Sequence, residues 1–322
     1  MTALMKTATW RSIPRESPLL AMIDTVMAQA QLQVPNRLSN LRYGRRLMVG
    51  TDFGGHHRES AYEAITFVIA DIENSPNWLH RQTQFRRERL RDGRRMAYKS
   101  LNDRMRMSVL PEFLINSSEL RGLTITLLID KRLKSLFAPT YLQRLVPSPP
   151  EKPRWNEAIS ERLMRTVHFL SFFLAGLCSS GQDVLWVVDE DAIVPNEDRV
   201  RDLCNVFANI SSTYLDQNLG HFRLATTRHD FDRQMEDFVA ISDLIAGATA
   251  ELATQTRVDG VLPSSQLLQP VPKTVSQKAR RVGRWLSIGF APLKHLVVAV
   301  EPEGPHAFSV TEFMFPKDQG LR

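Results

Sequence analysis

The 322-residue sequence predicts a mixed α/β fold. Its first three strands run antiparallel, later strands add in parallel, and helices cover both faces of the sheet. Three observations carry this reading. Runs rich in β-branched and aromatic residues recur from Arg46 onward, at 46–52, 62–72, 122–131 and 183–194. The later runs are separated by stretches with apolar residues at helical spacing, as right-handed crossovers between parallel strands require. The composition, 43% hydrophobic and 24% charged, suits an ordinary soluble globular core.

Residues 1–44 read as a helical appendage. Pro14 and Pro18 bracket its start, Leu19, Met22, Ile23, Val26 and Met27 fall at helical spacing, and Pro35 ends it. A core domain spans 45–255. RLMVGTD (46–52) is its first strand and YEAITFVIADI (62–72) its second. Pro76 opens a helix to about Arg91, and Asp92-Gly93 makes a turn. RRMAYKS (94–100) reads as the third strand, followed by a helix over 101–117 with a kink or restart at Pro111. GLTITLLIDK (122–131) is a buried strand. VPSPPEKP (146–153) is a proline-rich connector. A helix from Asn156 to Cys178 closes at Ser179, Ser180 and Gly181; its FLSFFLAGL run is too short to cross a bilayer. DVLWVVDEDAIV (183–194) is a strand ending near Asp189, and Asn196 caps the next helix. HFRLATT (221–227) is a further strand, and EDFVAISDLIAGATAELA (236–253) a helix with small residues on one side. Residues 256–322 form an extension: a basic helix, SQKARRVGRWLS (276–287), and a hairpin of KHLVVAVE and AFSVTEFMF.

The net charge of +6 and pI near 9.5 favour a polyanionic partner. Two cysteines, Cys178 and Cys204, make neither a disulfide framework nor a zinc cluster, so a reducing cytoplasm is the default. No secretory signal stands at the start: polar residues follow Lys6, and Glu16 and Asp24 interrupt the apolar stretch near Leu19.

Three strands end in aspartate: Asp52, Asp130 and Asp189. Equivalent ends of parallel strands share one edge of a sheet, where α/β proteins place ligands. Asp243 lies on the late helix, on a face with Ala240, Ala246 and Gly247 that is small enough to pack closely on the sheet. Carboxylates gathered there repel one another and need a cation, and oxygen-only ligands suit Mg²⁺ or Mn²⁺. A pair of such ions holds a phosphate and activates water for in-line attack. Gly54 and Gly55 would then keep the turn after Asp52 tight and leave room for a nucleic-acid backbone.

These motifs resemble the RNase H-like, retroviral-integrase-type superfamily, and within it a bacterial subgroup with a D-E-S-G-like first strand and an A-D-L-x-A-G-like last core helix. Asp52-Phe53-Gly54-Gly55 matches the first, Asp130-Lys131 the D-K strand, Asp189-Glu190 the later D-E strand, and Ser242-Asp243-Leu244-Ile245-Ala246-Gly247 the last. The resemblance covers about Arg46 to Glu251. It implies a divalent-metal-dependent nuclease with Asp52, Asp130, Asp189 and Asp243 as metal ligands and Lys99 orienting the phosphate or water. Strand order favours Asp130 as third ligand, and the local motif favours Asp189. Where the subgroup has E-x-K, this chain has Ala97-Tyr98-Lys99, so one acid is absent or supplied by Asp103 or Glu112.

Nine arginines crowd 81–106, among them Arg86, Arg87, Arg91, Arg94 and Arg95; a second cluster holds Lys273, Lys278, Arg280, Arg281 and Arg284. Guanidinium groups suit phosphate contacts, and a solvated helix face accounts equally for each cluster. His56 and His57 could touch metal or protonate a leaving group, though adjacent histidines in a loop are common. His168 reads as a core residue. The partner expected is nucleic acid, DNA or RNA, with no membrane partner and a homodimer kept open. Two other readings stand beside the nuclease. One is a degenerate nucleic-acid-binding or scaffold protein on the same fold, motivated by Ala97. The other is an actin-like or sugar-kinase-type ATP-binding protein, motivated by the D-x-G-G turn. There His56 replaces the expected hydroxyl residue, and neither a second such turn nor a Walker loop is present.

Overall fold

In the computed structural model the strands are β1 Arg46–Gly54, β2 Tyr62–Asp71, β3 Gly122–Asp130, β4 Asp183–Val188, β5 Phe222–Thr226, β6 Leu293–Pro302 and β7 Phe308–Glu312. The helices are α1 Pro18–Gln33, α2 Pro76–Arg89, α3 Arg104–Ser117, α4 Thr140–Leu145, α5 Glu157–Leu177, α6 Glu197–Ser211, α7 Gln234–Val258 and α8 Gln277–Leu286. All residues are described except 1–8, 14–16, 34–35, 138–139, 147–153, 231, 262–271, 273, 289–290, 305–306 and 314–322. The expectations for Lys6, Pro14, Glu16, Pro35, Lys273, the connector beyond Val146 and the end of the last strand lie outside the described residues.

The strands form one sheet in the order β5-β4-β1-β2-β3-β6-β7. β1, β2 and β3 are an antiparallel meander; β4 adds parallel to β1 and β5 parallel to β4. The mixed sheet, antiparallel in its first three strands and then parallel, is the one expected from the sequence. On the far side, β6 runs parallel to β3 and β7 returns antiparallel to β6. Period-2 alternation sends one set of side chains to each face. Leu47, Val49, Phe67, Ile125 and Trp186 join α1, α5 and α6 in one core; Met48, Val68, Leu128 and Val187 join α2, α3, α7 and α8 in the other. The FLSFFLAGL run is buried throughout in α5.

One strand is corrected. RRMAYKS is not the third strand of the meander; Gly122–Asp130 is. Residues 94–97 lie outside any strand and lead into a short 3₁₀ turn, Tyr98–Ser100. Of its side chains only Met96 is buried, while Arg94 and Arg95 are drawn aside by Asp92, Asp103, Asp189 and Glu236. One buried position cannot anchor a strand whose neighbours are charged. Pro111 stays inside α3 rather than ending it. A proline leaves the carbonyl four residues earlier without its helical donor. Here that carbonyl, on Met107, accepts from Arg281 Nη1 of α8 at 2.6 Å.

Candidate active site

Asp52 and Asp189 become neighbours through strand pairing. Thr51 is paired with Val188 across the parallel β1–β4 ladder, so each aspartate is the next residue on adjacent strands. Asp243 arrives from the helix. α7 runs along β1 because β1 offers glycine beneath it: a Cβ on Gly50 would lie 3.0 Å from the Phe238 ring, and one on Gly54 2.3 Å from the Ala246 carbonyl oxygen. Between those two contacts Asp243 comes beside Asp52. The glycines of the D-x-G-G turn therefore admit α7 and the β2 backbone, not a ligand. A Cβ on Gly55, at φ +77°, would lie 2.1 Å from the Tyr62 carbonyl oxygen. The expectation that this turn leaves room for a nucleic-acid backbone is overturned.

The carboxylates carry the electrostatic mark of crowding. Burial is the largest cause raising Asp52 well above the usual carboxylate range; Asp243, Asp189 and Asp191 add to it, and a hydrogen bond from its neighbour Phe53 N–H opposes it. Burial likewise pushes Asp243 up to about 6, with Asp189 adding. The Tyr98 N–H, which donates to Asp243 Oδ2 at 2.6 Å, and the charges of Lys99 and Lys278 oppose the rise. Asp191, two residues beyond Asp189, belongs to the same neighbourhood. Burial raises it too, against hydrogen bonds from the Ile193 and Val194 N–H groups.

Asp189 is restrained. Arg95 Nη1 lies 3.2 Å from its Oδ1, and Thr227 Oγ1 donates to the same oxygen at 3.0 Å. Arg95 also donates to Glu236 at 2.6 Å and to Thr227 Oγ1 at 2.6 Å. Among the described residues, no group of three or more His, Cys, Asp and Glu stands ready to hold a metal ion. Asp52 and Asp243 fit a hard cation as oxygen donors whose charges oppose each other without one. A third donor requires Asp189 to leave Arg95.

Asp130 is not part of this group. Asp52 pairs with Thr66 and Thr66 with Thr126, four residues before Asp130, so the two acids stand two strands and four residues apart. Strand spacing and rise make that about 17 Å. Asp130 is buried and bound by Arg132 and by Arg257 at the end of α7, each at 2.7 Å. Of the two alternatives for the third carboxylate, only Asp189 neighbours Asp52.

The histidines do not reach the acids. Asp52 shares the α7 face with Thr66, whereas Phe53, on the other face, packs near His56. His56 Nδ1 is 3.1 Å from Glu63, and exposed His57 is 3.1 Å from Glu59. His168 behaves as read, stacked on Phe137 and bonded to the Tyr214 hydroxyl at 2.7 Å. Asp103 caps α3 and binds Arg94 and Arg106, and Glu112 binds Arg89, so neither stands in for the acid absent at Ala97.

Much of the first basic cluster is consumed internally. Arg86 is bound by Glu236 and Asp237, Arg94 by Asp92 and Asp103, and Arg95 by Asp189 and Glu236. Arg87 and Arg91 are exposed on or just beyond α2, Arg284 is exposed on α8, and Arg280 and Arg281 are half-buried. Lys99 is exposed beside Asp243. Sequence reasoning missed Tyr98 and Arg95 as partners of the acids. Tyr98 binds through its backbone, which leaves no signature in residue type.

Among the described residues no helix is long and apolar enough to cross a membrane. No protein-family model and no curated protein matches the chain. Among solved structures it is similar to the ribonuclease H2 from Pyrococcus horikoshii OT3, at 13% identity over 75% of this chain and 85% of that one, with a TM-score of 0.33. A likeness of that size says nothing of chemistry, and the functional reading rests on the site itself.

Proposed function

We propose that the protein is a divalent-cation-dependent enzyme that processes phosphodiester bonds of nucleic acid. The observation that carries this is the Asp52–Asp243 pair: two carboxylates far apart in sequence, crowded together and both raised by burial and neighbouring negative charge. Bound Mg²⁺ or Mn²⁺ would relieve that repulsion, polarise a phosphate and lower the pKa of water. Asp52 and Asp243 would hold it, with Asp189 completing the set once released from Arg95. Tyr98 N–H fixes the Asp243 carboxylate, and the Lys99 ammonium beside it orients a phosphate oxygen. The test is cleavage of labelled DNA and RNA with Mn²⁺. Asp52→Asn and Asp243→Asn are each expected to cut activity by at least about a hundredfold. Cleavage that survives the double substitution overturns the assignment.

A second reading, a non-catalytic nucleic-acid-binding protein, is favoured by the Arg95–Asp189 ion pair and by Ala97. It expects salt-sensitive binding with no cleavage and no Mn²⁺ affinity by calorimetry. The ATP-binding reading is weakened, because α7 and β2 fill the space around the glycine turn where a phosphate would sit.

A further inference from the structure

A groove of about 460 Å³ opens between the start of α3 and the start of α8, lined by Asn102, Arg104, Ser108, Gln277, Lys278 and Arg281 among others. No carboxylate is among its described lining residues, in contrast with the α2 region, where Arg86, Arg89 and Arg94 are paired with acids. Lys278 and Arg281 are held by backbone carbonyls rather than by carboxylates. Lys278 Nζ donates to Tyr98 O at 3.2 Å and lies 4.3 Å from the centre of the Tyr98 ring, and Arg281 Nη1 donates to Met107 O. Arg104 is exposed at the rim. Tyr98 links the groove to the acids: its carbonyl accepts from Lys278 and its N–H donates to Asp243.

We infer that this groove seats the sugar-phosphate backbone of a single nucleic-acid strand and delivers it to the Asp52–Asp243 pair. The inference rests on the function proposed above and adds the strand's path. Three cations with no carboxylate at ion-pair distance among the described residues recognise a run of phosphates irrespective of base sequence. Tyr98 is already covered by Lys278 and supplies no free stacking platform, so the contact is with backbone rather than bases. A groove of this size admits one strand, whereas a duplex, whose grooves alone are about 12 and 6 Å wide, rests only on its rim.

The test is fluorescence anisotropy of the full chain with a labelled single-stranded oligonucleotide in EDTA, where neither cleavage nor metal enters. Arg104→Ala combined with Arg281→Ala is expected to weaken binding at least tenfold at about 0.1 M salt. It should also flatten the log–log salt dependence by about 1.4, the value for two lost single-strand phosphate contacts. Arg45→Ala with Arg223→Ala removes the same charge from exposed positions at the opposite end of the sheet and is expected to change affinity less than about twofold. Arg281 also ties α8 to α3, so Arg104→Glu alone, at an exposed rim position, repeats the test without that tie, and Arg281→Lys is expected to keep most of the affinity. Equal losses from the groove and control pairs overturn the inference. So does loss confined to Arg87→Ala with Arg91→Ala, or a duplex that competes as well as the single strand. Anisotropy in EDTA reads binding without metal or cleavage, so normal binding by the groove variants sinks this inference alone, and cleavage that survives Asp52→Asn with Asp243→Asn sinks the catalytic reading alone.

Discussion

At the scale of single residues, the site is a problem of negative charge. Asp243 is pushed up to about 6 by burial, with Asp189 adding, so its folded pKa lies above the unfolded value near 3.9. The ionised carboxylate therefore opposes folding. That opposition is absent below about pH 4 and complete above about pH 6, so the metal-free protein loses stability as pH rises through this window. Asp243→Asn is expected to remove most of the loss and to stabilise the chain at pH 7 by about 1–3 kcal/mol, discounted for solvent screening. Urea midpoints at the two ends of the window measure it, and a variant that keeps the parent's full pH slope would locate the repulsion elsewhere. Gly247 governs the opposing contact. A Cβ there would lie 2.3 Å from the Tyr98 ring, so Gly247→Ala must displace the turn whose N–H holds Asp243. It is expected to cost about 1–3 kcal/mol in thermal or urea unfolding. It should also raise the Asp243 pKa further, a shift that carboxyl NMR titration reads directly.

At the scale of elements, helices are pinned to one another by charge in places where burial makes the pairing matter. Arg86 on α2 joins Glu236 and Asp237 at the start of α7, and Gln82 donates to the same Asp237 at 2.9 Å. Asp237 is fully enclosed, and burial raises it even against Arg86. Arg86→Ala leaves that carboxylate without its cation and is expected to destabilise the fold by about 3–5 kcal/mol, whereas Arg87→Ala, one residue along on the exposed side, should change little. Chemical denaturation of both variants separates the two, and equal effects would deny the pin. The same pairings explain what the sequence disclosed and what it hid. Helices α1 and α6 were legible because their apolar spacing reports one buried face, and α5 and α7 because their apolar and small residues run on past the length of a strand. The cap Asn196 was legible because it acts within three residues. Strand β3 was visible as a buried run, but its place in the meander was assigned to RRMAYKS. Nothing local reveals that Arg95 belongs to Asp189, 94 residues on, or that Arg257 claims Asp130 across 127 residues. Asp130 and Asp189 look alike as strand-end aspartates, but the fold sets only Asp189 beside Asp52 and gives each acid its own arginine.

At the scale of the whole molecule, one sheet separates two cores, and the N-terminal residues contribute to the first of them. Trp10 is 3% exposed, its indole N–H donates to Asp24 of α1 at 2.9 Å, and its ring lies 5.4 Å from Phe172 of α5. The fit depends on Gly176, where a Cβ would approach the ring to 2.2 Å, and the next residue, Arg11, donates its N–H to the Gly176 carbonyl at 2.9 Å. α1 is thereby fastened to the helix that covers β1 from the side opposite Asp52. If the appendage and the sheet unfold as one unit, Trp10→Ala lowers the stability of the entire chain by about 3–5 kcal/mol, the cost of emptying a buried aromatic site. The transition then stays single by both tryptophan fluorescence and far-ultraviolet circular dichroism. If α1 is an independent attachment, the same substitution instead produces an early, small transition and leaves the main midpoint where it was. The first outcome makes the N-terminal segment part of the scaffold that holds β1 and β4, and with them Asp52 and Asp189, in register. Two separated transitions would exclude that role.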